Sequence, residues 1–277
     1  MSNLPSLSDT IRRAGLKPSK RLGQNFLLDQ NLTDKIVSVA GDLTQCTVIE
    51  IGPGPGGLTR SLLAADAKKV ITIEFDPRCK EILQELKYHY GGRFEYIIQD
   101  ALTIDASALV DDPKKIVANL PYNVATSLLL QWLQQIESFE SLTLMFQKEV
   151  ADRLLANPRT SAYGRLSVMT QWRATVDRAF NVPARAFTPS PKVDSTVVHL
   201  RPRKDFEAGV TWRSLETVTK VAFQKRRKML RSTLRALFPE NLENILRELD
   251  ITPTARAEEL SVQQFVNLAR CWQHSLG

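Results

Sequence analysis

Cysteine is scarce and scattered: Cys46, Cys79 and Cys271 are the three in 277 residues. They lack the paired spacing of a disulfide framework or a zinc site, so no metal is expected. Long hydrophobic runs are missing as well, and no apolar stretch approaches the ~18 residues that a membrane span requires. The opening residues, Met1 to Asp9, show neither a basic stretch followed by an apolar core nor an acid-free, Arg-rich helix. A secretory leader and an organelle presequence are thereby disfavoured, and a cytoplasmic address is expected. There is no internal repeat and no low-complexity tract. Acid is in deficit, with 30 Asp and Glu against 37 Lys and Arg, a net charge of +7. Such a surface draws polyanions, of which nucleic acid is the commonest.

What is present is ordinary globular material, 43% hydrophobic and 24% charged, long enough for one large domain and a small one. The basic residues gather in two places. Arg12, Arg13, Lys17, Lys20 and Arg21 face a single acid, Asp9, near the start, and Lys225-Arg226-Arg227-Lys228 with Arg231 and Arg235 forms a knot near the end. Either could be a solvated helix face or a nucleic-acid contact.

Short apolar, β-branched runs recur at Val48 to Ile51, Val70 to Phe75, Phe94 to Ile98, Ile116 to Ala118 and Leu142 to Phe146. Between them lie segments of helical period, such as Arg78 to Tyr88 and Val124 to Ile136. Runs apolar on both faces, alternating with helices, predict a parallel sheet covered on two sides. Val193 to Leu200 reads as a further strand and Val176 to Val182 as a weaker one. At Arg201-Pro202-Arg203-Lys204-Asp205 a proline among charges reads as a linker, beyond which every apolar pattern is helical. The expected division is therefore 1–204, an α/β domain with a basic N-terminal arm, and 205–277, a small all-helical domain.

The first predicted strand runs into Glu50-Ile51-Gly52-Pro53-Gly54-Pro55-Gly56-Gly57, a turn in which glycine lets a ligand approach the backbone. Gly52, Gly54 and Gly57 match G-x-G-x-x-G, and Glu74 ends the next strand about 20 residues on, where a carboxylate can bind ribose hydroxyls. A nicotinamide enzyme is one reading. Pro53 and Pro55, however, supply no N–H to a pyrophosphate, and Glu50 suits a cation better than an anion. S-adenosylmethionine fits both features, with Asp100, at the end of the third strand, placed to accept from its adenine amine.

The fourth strand emerges at Asn119-Leu120-Pro121-Tyr122, on the sheet edge where open α/β folds bind ligands. An exocyclic amine conjugated to a base is a weak nucleophile. Acceptors on its hydrogens, the Asn119 side-chain oxygen and the Leu120 carbonyl, would aim its lone pair at a sulfonium methyl. Attack on a sulfonium neutralises charge, so positioning can supply most of the catalysis. Pro121 stiffens the loop, Tyr122 can stack on the base, and Phe187 in Phe187-Thr188-Pro189-Ser190-Pro191 is the candidate second face.

With these residues in view, the chain resembles the small-subunit (16S-type) ribosomal RNA adenine N6,N6-dimethyltransferase family. The likeness runs from Arg21-Leu22-Gly23-Gln24-Asn25-Phe26-Leu27 through the glycine turn and Asn119 to Tyr122. It continues through Phe146 to Leu154, Phe187 to Ser195 and Phe223 to Leu230. The resemblance implies a Rossmann-like class I methyltransferase sheet with helices on both faces, and cofactor contacts at Asn25, Leu27, Gly52, Glu74, Asp100 and Asn119. It also implies that Gln24 to Leu27 close over the cofactor, that the basic arm reaches toward RNA, and that the helical domain docks on an assembling small ribosomal subunit. Nothing requires more than a monomer. Two relatives remain as alternatives, a macrolide-resistance methyltransferase acting on large-subunit RNA and a nucleic-acid-binding factor that has lost catalysis. A basic helix at Phe223 to Leu230 and the Phe146 to Leu154 segment favour the small-subunit family.

Overall fold

The structure, a computed structural model, describes residues 4–111, 113–205 and 209–275. The chain divides into two compact units, Met1–Ala151 with Asp177–Pro202, and Asp152–Val176 with Arg203–Gly277.

The first unit is organised by a seven-stranded sheet. Its strands are β2 (Thr47–Ile51), β3 (Lys69–Glu74), β4 (Phe94–Ile98), β5 (Lys114–Asn119), β6 (Ser141–Gln147), β7 (Ala174–Val182) and β9 (Ser195–Pro202), in the order β4-β3-β2-β5-β6-β9-β7. β7 begins in the second unit and ends in the first. β2 to β6 are parallel to their neighbours, and β9 returns antiparallel against β6, pairing Leu142 with Leu200 and Gln147 with Ser195. A separate two-stranded ladder joins β1 (Phe26–Leu27) to β8 (Phe187–Thr188), with Leu27 opposite Phe187. Nothing in the apolar pattern announces this ladder, because each strand is two residues long.

Strand side chains alternate between faces, and the packing follows that period of two. Val48, Val70, Val117, Met145 and Val197 join one core cluster with α2 (Gln30–Val39), α3 (Gly57–Ala64) and α4 (Lys80–Tyr90). Their neighbours Ile49, Ile71, Ile116, Leu144 and Val198 are equally buried but lie outside that cluster, on the opposite face. The sheet is thus covered on both sides, as the continuous apolar runs predict, and each fully buried Leu, Ile or Val contributes about 1.5–3 kcal/mol. The same unit carries α1 (Leu7–Arg13) and α5 (Tyr122–Gln134), and α6 (Lys148–Leu155) leads out of it. Arg60 in α3 anchors the N-terminal segment, donating to the Pro5 carbonyl at 2.6 Å and the Thr10 hydroxyl at 3.0 Å.

The second unit is helical: α7 (Arg165–Arg173), α8 (Trp212–Phe223), α9 (Leu230–Thr233), α10 (Leu242–Glu248) and α11 (Val262–His274). Its division from the first unit differs from a cut at residue 204, because Asp152–Val176 packs with the C-terminal helices. Tyr163 meets Phe223 edge to face, and Phe223 stacks on Phe265 at 5.3 Å, so the aromatic core draws in a segment whose own periodicity is weak. The Lys225 to Lys228 run of the basic knot is not a helix. α8 ends at Phe223, and Gln224 to Lys228 form a turn before α9. Adjacent like charges give a helix no support there, and Arg226, exposed like its neighbours, folds its guanidinium back onto nearby acceptors. It donates to the Glu258 carboxylate at 2.9 Å and to the carbonyls of Tyr163, Ser161 and Thr160.

Candidate active site

Four parallel strands deliver the predicted residues to one edge. Gly52 follows β2, Glu74 ends β3, Asp100 follows β4 by two residues, and Asn119 ends β5. Strand order reverses between β2 and β5, which opens a crevice at their carboxyl ends. A cavity of about 330 Å³ occupies that place. Asn25, Leu27, Gly52, Gly54, Glu74 and Asp100 line it, and so does the whole segment Asn119 to Tyr122.

The glycine turn is built for close approach. Gly52, Gly54 and Gly56 all have positive φ (68°, 52° and 85°), a region costly for other residues. A Cβ at Gly54 would lie 3.3 Å from the Phe26 ring, and one at Gly57 would lie 2.9 Å from the Leu27 carbonyl oxygen, so the turn also admits β1 beside it. Pro53 and Pro55 have no N–H, and the Gly54 N–H is spent on the Glu74 carboxylate at 2.9 Å. A pyrophosphate would find few donors here, whereas a ligand lacking phosphate loses nothing.

The electrostatics agree. Glu50 is 1% exposed, its carboxylate accepts from the Thr59 hydroxyl at 2.6 Å, and its carboxyl is pushed up to about 8 by burial, with the nearby Glu74 adding to the effect. Burial likewise raises Glu74, opposed by N–H donors from Asp76 at 2.8 Å and Gly54. Among the described residues no basic side chain pairs with either acid. Two buried carboxyl groups with only neutral partners offer an anionic dinucleotide no counter-charge and suit a cationic ligand bearing hydroxyl groups, whose charge would favour their ionised form. The residues present therefore fit S-adenosylmethionine.

Asp100 accepts the Leu102 N–H at 2.9 Å through one oxygen. Phe75, 58% exposed beside Glu74 on the cavity wall, is an aromatic face that periodicity assigns to a strand. Its one available signal is position: it directly follows the predicted ribose acid.

At the reacting end, Asn119 Nδ2 donates to the Asn25 carbonyl at 3.5 Å, and among the described residues no donor reaches its Oδ1. No donor among the described residues reaches the Leu120 carbonyl, because the first N–H groups of α5, Val124 and Ala125, turn to the Pro121 carbonyl instead. Two acceptors thus stand together at one mouth. The Tyr122 ring is fixed from its far end by a 2.6 Å hydrogen bond between its hydroxyl and that of Ser195. The structure does not bring Phe187 to the cavity. It is 4% exposed, packed in the core and paired with Leu27, where it supports β1.

Sheet order, reversal point and edge cavity together define a Rossmann-like class I methyltransferase. Residues 15–274 match the model of the ribosomal RNA adenine dimethylase family, and the chain belongs to that family. It is 55% identical over 270 residues, 98% of this chain and 95% of the relative, to ribosomal RNA small subunit methyltransferase A of Paramagnetospirillum magneticum. To the protein of the same name from Rhodospirillum rubrum it is 52% identical, over 96% and 92% of the two chains. Among solved structures it resembles a dimethyladenosine transferase from Plasmodium falciparum (TM-score 0.76, 27% identity, 87% and 94% covered). It also resembles the 23S rRNA methyltransferase ErmE (TM-score 0.66, 28% identity, 90% and 100% covered). The chain is accordingly a ribosomal RNA adenine dimethyltransferase.

Proposed function

We propose that this enzyme takes methyl groups from S-adenosylmethionine and places them on N6 of two adjacent adenosines near the 3′ end of small-subunit ribosomal RNA, acting as a single chain in the cytoplasm. The observation that carries the reading is the pair of unspent acceptors, Asn119 Oδ1 and the Leu120 carbonyl, on the same cavity as the buried acids Glu50 and Glu74. Bound S-adenosylmethionine supplies an electrophilic methyl whose departure leaves a neutral thioether.

Glu74 would hold the ribose hydroxyls, Asp100 would accept from the adenine amine, and the glycine turn would shape the wall between them. Asn25 and Leu27, which line the cavity, would cover the donor. Asn119 and Leu120 would accept the N6 hydrogens of the target, two at the first transfer and the one remaining at the second, which would turn its lone pair to the methyl; as the N6–C bond forms and the S–C bond breaks, the surplus proton on nitrogen would leave to water. No group in the mouth must act as a strong base. Tyr122 lies against the extruded base, replacing stacking lost when the adenosine leaves its helix. The level of identity to proteins named as small-subunit methyltransferases favours that RNA over the large-subunit RNA named for ErmE.

The test offers labelled S-adenosylmethionine to separated small subunits, large subunits and naked RNA, then maps the product. Label in small-subunit RNA is expected, and label confined to large-subunit RNA overturns the assignment. Asn119→Ala should lower transfer at least about 100-fold, the scale of losing one positioned hydrogen-bonding group, while RNA binding persists.

A further inference from the structure

We infer that Gln24 is a positioning residue for methyl transfer, holding the Asn25 carbonyl where it turns the Asn119 amide oxygen toward the incoming base. The inference rests on the reaction proposed above. Gln24 touches no reacting atom; it acts through the backbone next to it.

The tie begins where a short helical turn, Lys20–Leu22, ends on Gly23 at a φ of 65°. That left-handed residue brings the chain against the first turn of α5, so closely that a Cβ would lie 3.1 Å from Asn123 Oδ1. Both ends of the Gln24 side chain are then committed. Its Oε1 accepts from the Ser19 N–H at 2.9 Å and from Arg78 at 3.3 Å, and its Nε2 donates to Asp76 Oδ2 at 2.8 Å. Asp76 is itself immobilised, 2% exposed, with the Arg78 side chain donating to both its oxygens at 2.6 to 3.1 Å. These donors hold its carboxyl below the usual range, so the clasp stays ionised at neutral pH. The Asp76 N–H donates in turn to Glu74 Oε1, which links the clasp to the proposed ribose acid.

The next residue, Asn25, presents its carbonyl to Asn119 Nδ2. An amide has a donor end and an acceptor end, and only the acceptor end can receive a hydrogen from the target amine. Committing Nδ2 to Asn25 leaves Oδ1 for the base; the reversed amide would set N–H against N–H. A weakened clasp lets the Asn25 carbonyl drift and the Asn119 amide turn. A misplacement of about 1 Å can cost up to 100-fold in rate with little change in ground-state binding.

Gln24→Glu removes the donated hydrogen and sets a second carboxylate against Asp76. Combining it with Asp76→Asn exchanges amide and acid across the same hydrogen bond and keeps one negative charge for Arg78. The measurements, on the full chain, are single-turnover transfer to small subunits at saturating donor, donor Kd by calorimetry, and hydrogen exchange of amides 19–27. For Gln24→Glu the expected result is a transfer rate lowered ~10- to 100-fold, a donor Kd little changed, and faster exchange along 19–27. The double variant should recover most of the rate and the slow exchange. The inference is overturned if Gln24→Glu matches the wild type at saturation, if only donor Kd changes, or if the double variant shows no recovery. A wild-type protein that transfers label to no RNA overturns the proposed reaction, and this inference with it; a transferring wild type matched by Gln24→Glu overturns the inference alone.

Discussion

The two edges of one sheet hold buried charge in opposite ways. At the amino edge Lys115 is nearly buried, and its ammonium donates to the carbonyls of Ala40 at 3.0 Å and Asp42 at 2.7 Å, with the Glu140 carboxylate 3.7 Å away. Cys46 donates to Glu140 at 3.1 Å, and burial, with that carboxylate adding, pushes its thiol up to about 11, which leaves it unreactive. The buried ammonium there is answered from within the chain. At the carboxyl edge Glu50 and Glu74 are buried as deeply and meet only a hydroxyl and backbone N–H groups. A fold keeps unanswered carboxylates out of water at a cost, and the cost is offset when a ligand brings the cation. The difference teaches that burial alone does not mark a site; burial without a counter-charge does.

The comparison breaks most sharply through a pair of substitutions. Glu74→Ala should weaken S-adenosylmethionine binding by about 2–3 kcal/mol, roughly 30- to 150-fold in Kd, the scale of hydrogen bonds to a charged group. Lys115→Met should leave that Kd unchanged and lower stability by about 1–3 kcal/mol, because the Ala40 and Asp42 carbonyls lose their donor. Calorimetry and thermal denaturation on both variants decide it: if Lys115→Met weakens the donor while Glu74→Ala does not, the distinction between the edges fails.

Glu50 sharpens the same contrast through pH. Its folded-state value of about 8 lies above the ordinary 4.5, so between those limits the unfolded chain has released a proton that the folded chain keeps. Folding stability should therefore fall as pH rises through this window, with the full penalty reached above about 8, and Glu50→Gln should flatten the profile. A cationic ligand favours the ionised form and expels the proton. Donor affinity should rise toward pH 8 by up to about tenfold per unit in the wild type and stay level in Glu50→Gln. A pH-independent wild-type Kd would show that Glu50 does not sense the ligand's charge.

The sequence made the central sheet readable because its strands are apolar on both faces and separated by helices of clear period. Gly52, Glu74, Asp100 and Asn119 fall at strand ends, so topology alone carries them to one cavity. What stayed hidden depends on packing between distant segments. β1 and β8 have two residues each, and Asn25 and Leu27 were reached only through a family likeness. Phe187 sits in a motif next to the chemistry yet packs under β1, since an aromatic residue in a loop reads the same whether it faces a ligand or a core. Asp152–Val176 lacks strong periodicity because Tyr163 and its neighbours are buried by helices far along the chain.

The helical unit repeats the contrast on a smaller scale, within four consecutive residues. All four are exposed, but Arg226 is answered by Glu258 and three carbonyls, whereas Lys225, Arg227 and Lys228, among the described residues, engage no acid. The Lys225 to Lys228 run of the knot is thus one structural arginine and three available cations. If those three meet RNA phosphates, replacing each by Ala should weaken RNA binding a few-fold and flatten the dependence of log K on log salt by about one for each phosphate left without its cation. Arg226→Ala should do something different, lowering the thermal stability of the helical unit because it strands the Glu258 carboxylate and the Tyr163 carbonyl. Equal salt slopes in all four variants would mean that none of the three exposed cations meets a phosphate, and the knot would then serve solubility alone.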